Sequence, residues 1–350
     1  MSLELIIAGA LLIALTVYVL TGGADYGAGV WYLLARGARS DAHRALIDQA
    51  IAPIWETNHV WLVFVQVLLF TAFPPAFTAI VVSLHIPLTL LLIGIVMRGA
   101  SFAFRHADVP FGELHVQWER LFALASLLTP FWLGVVIGTI AAGLPAASGG
   151  FVETFISPWL AVFPFLVGLL TVVLVSYVAA AYLAVEATDE RLKEDFRWRA
   201  IAAGLAVSFL EETVLLASRS GAPILWGALT GTAWGVAVQF GTAAAGFAAI
   251  VCLWQKRFRW ARLCIVGQVT LTLWAWAFAQ FPYLVPPYLT IYNAAAPAQT
   301  LQWLLLALCA GAVLLFPSLY YLFRVFKQRA IFGRDDPPPS GEPRQEGGHT

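Results

Sequence analysis

Two carboxylates stand inside apolar segments of this sequence, at positions where they could carry protons. Asp25 lies in the stretch TGGADYGAG, residues 21–29, and Glu56 lies near the start of the apolar run WETNHVWLVFVQVLLF, residues 55–70. A charged side chain at membrane depth costs about 2.5–3.5 kcal/mol on insertion scales, so such a residue is a candidate for function. Carboxyl groups bind and release protons. Proton transfer is therefore the chemistry that these two residues indicate.

Three further polar residues accompany the carboxylates. Asn58 and His59 follow Glu56 within one helical turn, and Glu56 and His59 share a helix face because they are three residues apart. Arg98 lies near the end of another apolar segment, in MRGASFAFR. We expect Asn58, His59 and Arg98 to order water or to balance the charge of a carboxylate.

Small and aromatic residues flank these polar groups at helical spacing. Gly22 and Gly29 recur on the same side of a helix as Asp25, so a neighbouring helix could approach that carboxylate closely. Trp61 lies beside the polar residues of the second stretch. We predict that Gly22, Gly29 and Trp61 position the site by helix packing.

The composition is that of an integral membrane protein. Hydrophobic residues make up 60% of the chain and charged residues 11%, with a mean hydropathy of +0.80. Soluble domains carry roughly 25% charged residues. The zero net charge and the scattered basic residues give no indication of nucleic-acid binding. The three cysteines lack the spacing of metal ligands, so no metal site is predicted.

Nine apolar segments are long enough to cross a membrane as helices, since a span needs about 20 residues. Apolar residues continue around each segment, which favours helices over barrel strands. We predict an all-α integral membrane protein with about nine transmembrane helices, arranged as two four-helix bundles plus one extra helix. The predicted spans are 3–34, 50–72, 76–97, 120–142, 159–184, 197–217, 223–254, 260–281 and 300–326.

The basic residues predict the orientation of these spans. Nineteen of the 20 Lys and Arg residues fall in alternate connections and the C-terminal segment, which we call the basic side, and only Arg219 falls opposite. The positive-inside rule then places the N-terminus outside and the C-terminus in the cytoplasm. Residues 1–332 would form one membrane domain. Residues 333–350, rich in proline and glycine, would form a disordered cytoplasmic tail because they have almost nothing to bury.

Counting residues from the basic side predicts a common depth for the two carboxylates. Asp25 lies 11 residues before Arg36, and Glu56 lies 12 residues after Arg44. At ~1.5 Å per helical residue, both lie roughly 16–18 Å from the loop ends. On neighbouring antiparallel helices they would form one polar site.

Other ionisable residues leave alternatives open. Glu211 and Glu212 lie near the far end of the sixth span, and we expect them to reach water. His59 and His85 lie on consecutive spans, so a haem-binding membrane cytochrome is one alternative, although a hydrogen-bonded structural histidine is the simpler interpretation of His85. Carboxylates in glycine-containing helices also build the ion sites of secondary transporters. A proton- or ion-coupled transporter is therefore a second alternative.

Four blocks of the sequence resemble subunit II of cytochrome bd-type ubiquinol oxidases. GGADYGAGVW ends the first span, IAPIWETNHVWL opens the second, LFTAFPPAF joins the second and third, and RGASFAFR ends the third. The blocks occur in the order of the family over residues 22–105. The family commonly has two acids in the first block, as D-G-F-D-x-G-x-G, whereas Gly22 stands at the first acidic position and Asp25 keeps the second. Glu56 replaces an aspartate in the second block, so the chain resembles a divergent branch.

The resemblance implies a respiratory complex of the bacterial cytoplasmic membrane that oxidises quinol and reduces O2 to water. In this family, subunit I carries two b-type haems and a d-type haem and binds quinol through a long loop after its sixth span. The corresponding loop here, 218–222, has five residues. The chain is therefore expected to be the companion subunit, without a haem of its own.

The same resemblance implies a role and a set of partners for this chain. It would scaffold the haem-bearing subunit I and supply protons from the cytoplasm through Asp25 and Glu56. Small single-span subunits and membrane lipid are further expected partners, with quinol and O2 as substrates of the complex. Binding of a structural quinone by this chain is left open.

Overall fold

The computed structural model describes the backbone of residues 2–51, 55–107, 113–144 and 150–331. Within these ranges it does not describe the side chains of residues 51, 55–57, 105–107, 113–115, 316, 319 and 322–331. The segment 333–350, for which a disordered tail is predicted, lies outside the described residues. The described chain forms helices and one short hairpin. The elements are α1 (Leu3–Leu33), α2 (Ser40–Ile51), α3 (Trp55–Ala72), α4 (Pro74–Ser83), α5 (His85–Ala107), α6 (Glu113–Ala142), α7 (Phe151–Phe155), α8 (Val162–Glu186), α9 (Glu190–Gly221), α10 (Pro223–Gly231), α11 (Ala233–Trp254), α12 (Phe258–Gln280), β1 (Tyr283–Val285), β2 (Leu289–Thr290) and α13 (Ala298–Ile331).

Eight helices of the described chain are long and apolar enough to cross a membrane, namely α1, α5, α6, α8, α9, α11, α12 and α13. The number rises to nine if α3 and α4, between which the chain bends by 118°, are counted as one bent span. The predicted all-α membrane fold is confirmed. The predicted number of about nine spans agrees with this range.

Two predicted spans have the wrong boundaries because helices break within them. The third span was predicted at 76–97, but α4 ends at Ser83 and α5 continues to Ala107. Leu84 leaves helical geometry, with φ −111° and ψ 23°, and ends α4, and Pro87 in the first turn of α5 has no backbone N–H with which to continue the ladder of α4. The predicted span 223–254 is divided at Thr232, whose extended backbone ends α10 and whose Oγ1 accepts a hydrogen bond from Gly235 N at the start of α11.

The seven spanning helices of residues 1–298, together with α3, pack in two groups of four. In the first group, α1 packs against α3 and α6, and α6 packs against α5. In the second group, α8, α9, α11 and α12 form a closed ring around a core of small and aliphatic side chains. Helix α8 joins the groups by packing against both α1 and α6. Residues 299–331 of α13 belong to a separate unit, a single long helix containing Pro317.

A glycine allows the two groups to meet. A β-carbon added at Gly27 of α1 would lie 1.9 Å from the backbone oxygen of Val175 in α8. The two helix backbones therefore touch at this point, as small residues allow in membrane proteins. This contact sets the distance between the groups.

Replacing this glycine should separate the groups. In Gly27→Ala, the new methyl group cannot fit unless α1 and α8 move apart, and overpacking of this kind costs about 1–3 kcal/mol. We expect a lower midpoint of thermal unfolding of the purified protein in detergent. Gly9→Ala is the matched control, because a β-carbon at Gly9 of the same helix meets nothing within 4 Å. Equal unfolding midpoints of the two variants would contradict this interpretation.

Candidate functional site

A buried ion pair joins the first group of helices. Arg98 Nη2 of α5 lies 3.1 Å from Asp25 Oδ1 of α1, and the two side chains are 1% and 3% exposed. The same nitrogen donates to the backbone oxygen of Asp25 at 3.3 Å. Arg98 Nε donates to Ser126 Oγ of α6 at 3.1 Å. The side chain of Arg98 thus joins its own helix α5 to α1 and α6.

Aromatic rings enclose this guanidinium. Arg98 Cζ lies 4.6 Å from the centre of the Tyr26 ring and 5.2 Å from the centre of the Phe122 ring. Aromatic faces attract the positive charge of arginine. Two apolar rings therefore lie against the guanidinium.

The carboxylate of Asp25 is held by charge and not by directed hydrogen bonds. Its Oδ1 lies within ion-pair distance of Arg98. Neither of its two oxygens makes an aligned hydrogen bond to any residue that the structure describes. A hydrogen bond needs a favourable angle as well as a short distance, so the two observations are compatible. The carboxylate oxygens are thus available to a proton or to water.

The two glycines predicted to flank Asp25 differ in what they contact. A β-carbon at Gly29 would lie 2.2 Å from Ser126 Oγ, so this glycine allows α6 to approach α1 beside the ion pair. A β-carbon at Gly22 would instead meet the Tyr18 ring of the same helix at 2.9 Å. The space at Gly22 is occupied by a side chain of α1 and not by a neighbouring helix.

The start of α3 brings a second set of polar side chains against α1. The hydroxyl of Tyr26 lies 3.4 Å from His59 Nε2, and the two rings stack with centres 5.9 Å apart. Asn58 is buried, and its Nδ2 donates to the backbone oxygen of Thr21 at 3.4 Å. Trp61 packs against the cluster that contains Tyr26.

Glu56, the second predicted carboxylate, lies in the first turn of α3. Its side chain is outside the part of the chain that the structure describes. The helix turn that carries it also carries His59, which contacts α1. The backbone of Glu56 is therefore next to the helix of Asp25.

A further polar group lies two helical turns from Asp25 toward the basic side. The Tyr32 hydroxyl of α1 donates to Glu119 Oε1 of α6 at 2.5 Å. Arg44 of α2 lies 3.5 Å from the other oxygen of Glu119, and its guanidinium is 5.0 Å from the centre of the Tyr32 ring. Glu119 was not singled out from the sequence. The available signal was its spacing of seven residues from Ser126, which places both on one face of α6.

The second group of helices borders a partly open, mostly apolar cavity of about 410 Å³, lined by residues of α1, of α6 and of α8 to α12. Glu211 of α9 lines it and accepts hydrogen bonds from Thr272 Oγ1 at 2.5 Å and from Gln268 Nε2 at 3.2 Å. The prediction that Glu211 reaches water is wrong, because α9 continues to Gly221 and this carboxylate faces α12. Trp276 Nε1 is buried at the cavity wall and makes no hydrogen bond to a described residue.

The histidines considered as haem ligands each have a protein contact. His85 Nδ1 lies 2.9 Å from the backbone oxygen of Val82, and His59 contacts Tyr26. Among the described residues, no three His, Cys, Asp or Glu side chains cluster closely enough to hold a metal ion.

Comparisons with known proteins identify one family. Its model, described as cytochrome bd terminal oxidase subunit II, matches residues 3–326. The chain is 27% identical over 151 residues to the cytochrome bd ubiquinol oxidase subunit 2 of Bacillus subtilis (strain 168), a match that spans 42% of each chain. It is 28% identical over 140 residues to the cytochrome bd-I ubiquinol oxidase subunit 2 of Escherichia coli (strain K12), 40% of this chain and 35% of that one.

Two longer matches extend over almost the whole chain. A putative cytochrome bd menaquinol oxidase subunit II of Bacillus subtilis (strain 168) is 22% identical over 340 residues, 91% of this chain and 94% of the relative. Among solved structures, the bd oxidase from Geobacillus thermodenitrificans superposes with a TM-score of 0.77 at 25% identity. That match covers 93% of this chain and 99% of the other.

Removing one partner of the buried pair should destabilise the protein more than removing both. Arg98→Leu leaves the Asp25 carboxylate buried without its counter-charge, which costs about 3–5 kcal/mol. In the double variant Asp25→Leu with Arg98→Leu, no unpaired charge remains, and we expect much of that loss to be recovered. The free energy of unfolding in detergent measures both effects.

An exposed ion pair supplies the control. Arg39 Nη2 lies 2.7 Å from Asp195 Oδ1, but the arginine side chain is 52% exposed. Exposed pairs contribute only about 0–1 kcal/mol, so Arg39→Leu should have a small effect. A loss in Arg98→Leu no larger than that in Arg39→Leu would show that the buried pair is not a structural requirement.

Proposed function

The chain belongs to the cytochrome bd terminal oxidase subunit II family, and from this premise we propose that it pairs with a haem-bearing subunit I in a complex that oxidises quinol and reduces O2 to water. The resemblance seen in the four sequence blocks is confirmed by the family match. We propose that this chain has two tasks in the complex, the support of subunit I and the supply of protons from the cytoplasm. The haems b and d are assigned to subunit I.

Proton supply is a physical requirement of the proposed reaction. Reduction of O2 to water takes up a proton with every electron, and the reaction takes place away from bulk water. If the protons come from the cytoplasm while quinol releases its own outside, the membrane becomes charged. A path of groups that exchange protons must then lead from the basic side into the membrane.

The observation that carries the proposal is the buried Asp25 carboxylate with both oxygens free of aligned hydrogen bonds to described residues. Toward the basic side, polar atoms continue along the contact between α1 and α6. Ser126 contacts Arg98, and Glu119 with Tyr32 lies nearer the basic loops. We propose that protons enter at Glu119 and reach Asp25 through water held along this contact.

Arg98 makes a proton-exchanging carboxylate tolerable in this environment. Its charge offsets that of ionised Asp25, which would otherwise be costly to bury. When Asp25 takes up a proton, Arg98 keeps its hydrogen bonds to Ser126 Oγ and to the Asp25 backbone oxygen. We propose that these hydrogen bonds, together with the Tyr26 and Phe122 rings, hold the arginine in place while its counter-charge is neutralised. Glu56, on the adjacent turn of α3, is proposed as the second carboxylate of the path.

The proposed location is the bacterial cytoplasmic membrane, with the basic side facing the cytoplasm. The apolar helices and the bacterial relatives support it. Small single-span subunits also remain part of the proposal, and mass spectrometry of the purified complex would detect them.

The alternative function as a secondary transporter is less well supported. The family match includes the helices of Asp25 and Glu56, the carboxylates that a transporter would use as its ion site.

We also propose that the cavity of the second helix group is the place for a structural quinone. Its wall is mostly apolar, as an isoprenoid chain requires, and Trp276 Nε1 offers a donor for a quinone oxygen. Solvent extraction of the purified complex should release quinone, and Trp276→Phe should lower its amount. Retention of the same quinone amount by the variant would rule out this cavity as the site.

Removal of either carboxylate should slow the complex without removing its haems. In Asp25→Asn and Glu56→Gln the side chain keeps its size but cannot release a proton, so we expect O2 consumption to fall by roughly 100-fold or more. The reduced-minus-oxidised haem spectrum should be unchanged. Glu190→Gln is the control, because the Glu190 side chain is 84% exposed on the basic side.

O2 consumption and the haem spectrum together distinguish proton transfer by the carboxylates from a structural role and from a role in assembly. Normal O2 consumption by both variants would show that the carboxylates have a structural role only. Loss of haem from the complex would instead point to a role in assembly with subunit I. A haem band in this chain purified alone would support the cytochrome alternative.

A further inference from the structure

The contact between Tyr26 and His59 continues the polar path beyond the ion pair. Tyr26 is only 2% exposed, so its hydroxyl is shielded from bulk water. The ring faces the Arg98 guanidinium, and the hydroxyl lies 3.4 Å from His59 Nε2. The tyrosine therefore contacts the arginine of the ion pair on one side and a second ionisable group on the other.

Resting on the function proposed above, we propose that Tyr26 is a proton-relay residue whose hydroxyl passes protons from the Asp25–Arg98 pair to His59. A hydroxyl suits this position because it can donate one hydrogen bond and accept another at the same time. The phenol of Tyr26 and the imidazole of His59 are ionisable groups that α1 and α3 bring into contact here, among the side chains that the structure describes.

The transfer balances as a single proton movement. The O–H bond of Tyr26 breaks as its proton passes to His59 Nε2, and the phenol oxygen takes up a proton delivered from Asp25 through water. Tyr26 ends with the hydroxyl that it had at the start, and no electron moves. His59 then holds the proton and releases it from its ring.

The position of His59 suits the end of such a relay within this chain. His59 is half-buried, whereas the apolar side chains that follow it on the outer face of α3, Val60 and Val63, are exposed. A polar side chain at the border of an apolar surface is costly in lipid unless another group covers it. His59 therefore lies where a proton could leave this chain for a neighbouring one.

A purely structural role for Tyr26 makes a different prediction. If the ring only packs against Arg98 and His59, its hydroxyl is dispensable, and Tyr26→Phe keeps the ring that makes both contacts. If the hydroxyl carries protons, the same variant breaks the path without disturbing the packing. The two roles therefore separate in one substitution.

The test measures quinol-driven O2 consumption of the intact complex in H2O and in D2O. For Tyr26→Phe we expect a fall of at least about tenfold, less than the roughly 100-fold of a direct acid–base group, because water can partly replace a relay hydroxyl. The solvent isotope effect should increase because proton transfer becomes rate-limiting. The haem spectrum and the unfolding midpoint should stay unchanged.

Tyr177→Phe is the matched control. Tyr177 of α8 is completely buried, and its hydroxyl makes no hydrogen bond to a described residue. It belongs to the core of the second helix group, away from the ion pair. Removal of this hydroxyl should leave O2 consumption and the isotope effect as they are.

A double variant tests whether the two residues act in series. His59→Phe keeps a ring to stack on residue 26 but cannot accept a proton. If both residues belong to one path, Tyr26→Phe combined with His59→Phe should be no slower than the slower single variant. Multiplying losses would show independent effects and would overturn the relay.

The outcomes distinguish this inference from the function on which it rests. Normal turnover and a normal isotope effect in Tyr26→Phe would overturn the relay, and a slow Asp25→Asn variant would still leave the proposed proton supply standing. If the Tyr26→Phe complex fails to assemble, the turnover and the solvent isotope effect of His59→Phe test the relay instead. Its normal turnover would overturn the relay, and its slowing with a raised isotope effect would support it.

Discussion

A guanidinium cannot stay inside an apolar protein without partners, and this requirement organises the first group of helices. Arg98 is buried on α5, so α1 must bring Asp25 and α6 must bring Ser126 to it. Those contacts are possible only where the backbones come close, which Gly29 allows between α1 and α6. The rotation of each helix about its axis is thereby set by one charge. Loss of a partner leaves a buried unpaired charge, which costs about 3–5 kcal/mol.

Each helix group contains a buried carboxylate, and the two carboxylates have different kinds of partners. Asp25 faces a full positive charge and keeps its oxygens free of directed hydrogen bonds to described residues. Glu211 faces neutral donors, the hydroxyl of Thr272 and the amide of Gln268, at the wall of an apolar cavity. A charged partner and open oxygens suit the exchange of protons. A carboxyl group held by neutral donors beside an apolar space suits the binding of an apolar molecule.

Residue type and spacing predicted some features of the fold and of the candidate site and missed others. Composition and run length predicted the membrane fold, because hydrophobicity is a local property of each segment. The breaks at Leu84 and Thr232 were missed, since a span of sufficient hydropathy can still be divided by one residue whose backbone departs from helical geometry. Glu211 was assigned to water because its helix was predicted to end too early. Glu119 was missed because its partner Tyr32 lies on a helix distant in sequence.

The sequence by itself determined that Asp25 and Arg98 lie in membrane helices, because both stand in apolar segments that no soluble core could bury in such number. It also determined the family, through four short blocks in the right order. Only the tertiary structure decided that these two residues meet, that Gly22 makes room for Tyr18 and not for another helix, and that Tyr26 connects the ion pair with His59. The physical reason is that contacts between helices depend on their rotation and relative height. Close packing across several helices sets both, and no single segment contains that information.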